Sequence, residues 1–96
     1  MRIFKYKLSV EDSVSVEMPV GAKVLSVGVQ NVNEIFVWAL VDDKSKKMED
    51  RVFCIFGTGH EVPIDFSLVF VGTVHMDLSP FPGNLVWHIF EKLTRR

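Results

Sequence analysis

Apolar side chains in this chain recur at every second position, in short runs that glycine, proline, asparagine or clustered charge interrupts. That spacing fits strands with one dry and one wet face and disagrees with the 3.6-residue repeat of an amphipathic helix. Phe4, Tyr6 and Leu8 alternate with Lys5 and Lys7, and Val14, Val16 and Met18 alternate with Ser13, Ser15 and Glu17. These read as the first two strands of a meander. A turn follows in which Pro19 fixes one φ and Gly21 permits a positive one. A third strand then spans residues 23–30, with Leu25, Val27 and Val29 expected on one face.

Asn31, Val32 and Asn33 form a short hairpin turn, because asparagine tolerates the left-handed region that such turns need. Residues 34–41 are apolar on both sides, Ile35, Val37 and Ala39 against Phe36, Trp38 and Leu40. A strand covered on both faces has this pattern, which places the segment at the centre of a sheet. Seven of the nine residues 42–50 are charged, a solvated excursion before residues 51–56 return as a strand. Residues 68–76 and 84–91 complete the set, joined by a connection carrying Pro80 and Pro82. A short helix within residues 85–96 is the alternative for the last segment, but Val86, Trp87, Ile89 and Phe90 favour a strand. The expectation is an all-β domain over residues 1–96, a small antiparallel barrel or sandwich of about seven strands.

With 96 residues the chain supports one core, and its 48 % hydrophobic and 24 % charged side chains exclude intrinsic disorder. A net charge of -1 gives no field able to hold duplex nucleic acid by counterion release. The longest apolar run, residues 35–41, is far shorter than the roughly 20 residues a membrane helix needs. The charged start, with Arg2, Lys5 and Lys7, contains no apolar export signal, and the single cysteine, Cys54, suits a reducing cytoplasm as a small buried apolar residue.

Chemistry-bearing constellations are few. Cys54 or Thr58 with His60 and Asp65 can be drawn as a nucleophile, base and acid, but Cys54 sits in an apolar strand and Thr58 lacks a strained elbow motif. His60, His75 and His88 match no short metal-ligand spacing, although His75 and His88 could meet across the last hairpin. No cofactor and no catalytic residue is expected. The informative segment is Gly57, Thr58, Gly59 and His60, where two glycines let backbone N–H groups converge on an anion while Thr58 and His60 add side-chain donors. An ordinary strand exit has the same composition. Arg51, on the strand that leads to this loop, offers a planar guanidinium suited to phosphate. Trp38, Phe56, Phe81 and Trp87 are candidates for stacking on a base, and Phe81, flanked by prolines, is the one expected to stand exposed.

Five blocks in order, MRIFKY (residues 1–6), EMPVGAKVLSV (17–27), WALVD (38–42), FGTGH (56–60) and VWHIFE (86–91), resemble a family of small uncharacterised proteins carried by bacteriophages and by bacterial genomes. The resemblance spans nearly the whole chain and departs from the commoner pattern at residues 31–36 and 44–47. It brings no catalytic residues with it. What it implies is a setting, the cytoplasm of an infected bacterial host, where small proteins without catalytic groups work by occupancy. Combined with the loop chemistry, it implies a non-enzymatic binding protein that sequesters a phosphate-bearing nucleotide signal of host antiviral immunity, through Arg51, Gly57, Thr58, Gly59, His60 and Phe81. The alternatives are a protein inhibitor that blocks a host defence enzyme and a minor structural or assembly component of the virion. A homo-oligomer with pockets at its subunit junctions is expected, since a domain of this size seldom encloses a dinucleotide alone.

Overall fold

In a computed structural model that describes residues 1–31, 33–63, 67–77 and 84–93, the alternating segments become antiparallel strands. They are β1 (Arg2–Leu8), β2 (Ser13–Pro19), β3 (Lys23–Gln30), β4 (Glu34–Val41), β5 (Met48–Gly57), β6 (Leu68–Asp77) and β7 (Asn84–Lys92). Two sheets form, one in the order β1-β4-β3 and the other β2-β5-β7-β6. They face each other as a sandwich and do not close into a barrel. Their inward sets, including Leu8, Met18, Ile35, Val37, Phe53 and Ile89, make one core, and the radius of gyration is 14.1 Å.

The meander is corrected. β1 pairs with β4, Tyr6 opposite Val37, while β2 pairs with β5, Val16 opposite Arg51. The connection between the first two strands is too short for a detour but long enough to step from one sheet to the other. By stepping across, it lets both Leu8 and Met18 face the same core. The helical alternative near the C-terminus is also corrected. β7 is a strand held between β5 and β6, as its β-branched and aromatic content favours.

Two faces differ from the simple alternation. A bulge between Val24 and Ser26 in β3 turns Leu25 outward, and one between Phe70 and Gly72 in β6 turns Phe70 outward. One extra residue reverses the parity of everything beyond it. β5 begins inside the charged segment, because its ladder with β2 continues to Met48 opposite Pro19. Cys54 is half-buried, not enclosed, since it lies on the outer face of β5.

β4 is the central strand of its sheet and is covered on both sides as expected. Its outer face is covered by neighbouring side chains: the Lys5 ammonium lies 4.5 Å from the centroid of Phe36, and the Trp38 ring lies over Gly28, where a Cβ would meet it at 3.2 Å. Both ends of β1 are pinned to this sheet and its flanking loop by ion pairs, Lys7 to Glu34 at 2.7 Å and Arg2 to Asp43 at 2.6 Å. Among the described residues, no helix is long and apolar enough to cross a membrane.

Candidate functional site

β5 ends in a tight turn in which the His60 amide donates to the Gly57 carbonyl at 3.0 Å and Gly59 takes φ +87°. A positive φ at the third position is the mark of a type II turn, which glycine adopts without steric cost. The Gly57 amide donates to Nδ1 of His60 at 3.3 Å, so the neutral imidazole carries its proton on Nε2. The ring lies close against the strand, because a Cβ on Gly57 would come within 2.9 Å of His60 Cε1. Two of the loop's donors are therefore spent locally, which leaves only the amides of Thr58 and Gly59 for the anion expected at this loop.

The chain contains a second turn of the same kind. The Ala22 amide donates to the Pro19 carbonyl at 3.1 Å, and Gly21, again at the third position, has φ +83°. There the glycine amide donates to a carboxylate oxygen of Glu49 at 3.0 Å. The amide of Gly59, by contrast, meets no protein acceptor among the described residues, and open space lies where its Cβ would be. One turn geometry thus appears twice, once filled by an anionic oxygen and once facing solvent.

Beside the open turn lies a cleft of about 320 Å³ lined by Gly57, Thr58, His60, Leu85, Val86 and Trp87. Register brings these together, since Gly57 stands opposite Trp87 across the β5–β7 ladder. Trp87 packs partly against the core and is held by a contact of its indole N–H to Met76 sulfur at 3.2 Å. A smaller cleft of about 190 Å³, lined by Glu11, Asp12, Ile55 and others, shares His60 and Trp87 as its wall. Amide donors thus sit on one side of this wall and two carboxylates on the other.

His88 belongs to the same corner, a placement sequence reasoning missed. Its Nε2 is 2.8 Å from Thr58 Oγ1 and its Nδ1 is 3.0 Å from Thr73 Oγ1. Hydroxyls donate or accept as needed, so the ring ties the turn to β6 in either protonation state. His75 stands opposite Val86 and His88 opposite Thr73, and no cluster able to hold a metal ion occurs among the described residues. The drawn catalytic set is not assembled from its described members: Cys54 points to the outer face of β5, Thr58 is bonded to His88, and Asp65 lies outside the described residues.

Gly57, Thr58, Gly59 and His60 are brought together, but Arg51 is not with them. It lies at the other end of β5, about 20 Å away along an extended strand. Its Nε and Nη2 donate to the two carboxylate oxygens of Glu91, at 2.5 and 3.1 Å, and its Nη1 donates to the Ala22 carbonyl at 2.7 Å. The hydrogen bonds it donates to the Glu91 carboxylate hold the guanidinium in its charged form even more firmly than usual. Arg51 is thus committed to an internal ion pair, which corrects its assignment to the anion loop. Phe81 lies outside the described residues.

Compared with known proteins, a family model described as a domain of unknown function (DUF7352) matches residues 1–96. No curated protein and no solved structure matches the chain.

Proposed function

The chain belongs to this family, DUF7352, and from the geometry of the 57–60 corner we propose that it is a non-enzymatic binding protein that captures a phosphate-bearing nucleotide. The observation that carries this reading is the open amide of Gly59, set in the turn geometry that elsewhere in the chain holds the Glu49 carboxylate. A phosphate oxygen is the natural acceptor for such an amide. Thr58 and His60 add polar groups, and the flank of Trp87 offers an apolar wall for a base. Glu11 and Asp12, across that wall, suit ribose hydroxyls or exocyclic amines.

In the phage setting that the sequence resemblance implies, such capture withholds an immune messenger from its effector and needs no turnover. The cleft is open on one side, which a second copy of the chain would close. Calorimetry against cyclic nucleotides and ADP-ribose derivatives tests the reading. At least one binds with Kd below about 10 μM, and failure of the whole panel at that level removes it.

A second reading, an inhibitor that covers a host defence enzyme, draws on one observation. The outer face of the four-stranded sheet carries Phe56, Phe90 and Phe70 in edge-to-face contact at 5.7 and 5.3 Å, with Phe70 56 % exposed. Under this reading one stoichiometric partner is lost on Phe70→Ser and retained on Gly59→Arg.

A further inference from the structure

The largest described cleft, about 380 Å³, lies between the edges of β3 and β6, where the two bulges face each other. We infer that it is a second binding site, independent of the 57–60 corner, for an amphipathic monoanion: a carboxylate on an aliphatic or aromatic body.

The two edge strands approach closely just beyond the bulges, since a Cβ on Gly72 would meet Val27 Cγ1 at 2.7 Å. The cleft opens beside the bulges, with Val24, Leu25 and Val71 in its lining. Bulges commonly re-aim side chains beside binding sites, and here they leave apolar groups around an opening. Leu25 is 45 % exposed and Val69 47 %, and Val24 and Val71 extend the apolar lining inward. A concave apolar surface with a few fixed polar groups is the usual form of a small-molecule site.

The polar groups are unevenly charged. At one wall stands the Arg51–Glu91 pair, with Glu91 only 6 % exposed and the guanidinium oriented by three hydrogen bonds. That pair is internally neutral. Among the side chains that line the cleft, Lys23, exposed at the rim, is the one cation without an ion-pair partner among the described residues. The occupant that satisfies it places its apolar body against Val24, Leu25, Val69 and Val71 and its single negative charge near Lys23. A phosphate diester or dinucleotide has too little apolar surface for this lining. Glu49, whose carboxylate lies 3.6 Å from Arg51 Nη1, is held by the Gly21 amide and does not line the cleft.

An NMR titration of the ¹⁵N-labelled protein with hexanoate, octanoate and decanoate tests the site. Shifts are confined to the amides of residues 22–25 and 69–71, and each added methylene tightens binding about fourfold. Lys23→Gln, at an exposed position, weakens decanoate about fivefold or more and leaves decanol binding unchanged. Leu25→Glu abolishes carboxylate binding, and Gly59→Arg does not affect it. Shifts scattered over the outer sheet faces, equal affinity for hexanoate and decanoate, or an unaltered Lys23→Gln variant would each overturn the inference.

Discussion

Gly21 and Gly59 hold the same position in two turns of the same kind, at φ +83° and +87°, yet only the amide of Gly21 is filled, by the Glu49 carboxylate at 3.0 Å. Glu49 belongs to the charged segment but lies on β5, so the pairing of β5 with β2 delivers the anion to the first turn. Nothing in the described chain delivers one to the second. The difference between the two glycines is that one amide is filled by the chain's own carboxylate and the other meets no acceptor among the described residues.

Both glycines resist side chains for a conformational reason and not a steric one, since no atom beyond the adjacent residues lies within 4 Å of either ideal Cβ. Gly59→Ala is expected to cost about 1 kcal/mol in denaturant unfolding, and Gly59→Asn less, because asparagine tolerates positive φ. Gly59→Arg carries a similar cost to alanine and in addition blocks nucleotide capture. A variant that loses binding with less than about 2 kcal/mol of destabilisation separates the site from the fold.

The Arg51–Glu91 pair is predicted to behave as a nearly buried ion pair. Glu91→Ala leaves the guanidinium without its bidentate partner, with only Glu49 at 3.6 Å, and costs about 3 kcal/mol, whereas Arg51→Met with Glu91→Leu comes within about 1 kcal/mol of the parent. Chemical denaturation of Arg51→Met, Glu91→Leu and the double variant that combines them reads this out as a coupling energy. Additive losses would show that the pair is not coupled.

At Gly72 the constraint is contact. A methyl there meets Val27 Cγ1 at 2.7 Å, so Gly72→Ala is predicted to lower stability by about 1–3 kcal/mol through overpacking. Val27→Ala in the same chain restores part of that loss. Thermal unfolding of both variants checks the rescue, and the reverse order of stability would contradict the close approach of β3 and β6.

Protonation is expected to loosen β1 from its ends. Hydrogen bonds from Lys7 to Glu34 and from Arg2 to Asp43 hold both carboxyls below their ordinary pKa values. A carboxyl lowered in the folded state adds stability above its unfolded value, and that stability is lost as pH falls through the folded value. β1 is therefore fully held at neutral pH and loosens below about pH 4. Hydrogen exchange at the amides of β1, corrected for intrinsic rates, accelerates in that window, and Asp43→Asn reproduces part of the effect at neutral pH. High salt weakens both pairs, which are solvent-exposed.

Strand positions were legible because alternation such as Phe4, Tyr6, Leu8 is a local consequence of the pleat. Partners were not, since nothing local says that Tyr6 will face Val37 when Val14 is nearer in sequence. The bulges were equally silent: Val24, Leu25, Ser26 and Val27 read as unbroken alternation, and only the ladder with β4 shows the extra residue. At the candidate site, Gly59 announced its positive φ by being glycine. Arg51 misled because its partner, Glu91, is 40 residues away, and an arginine looks available until the strand that neutralises it is in place. His88 was overlooked for the same reason, its two threonine partners arriving from the 57–60 turn and from β6.

The most direct test follows the Gly59 amide by ¹H–¹⁵N NMR while a cyclic dinucleotide or ADP-ribose is added. The amides of Gly59 and Thr58 move strongly downfield, as N–H groups do on meeting a phosphate oxygen, the Trp87 indole shifts with them, and the Gly21 amide stays in place. A Gly59 signal unmoved at about 1 mM of every such ligand, or shifts that avoid the 57–60 turn, would contradict the account.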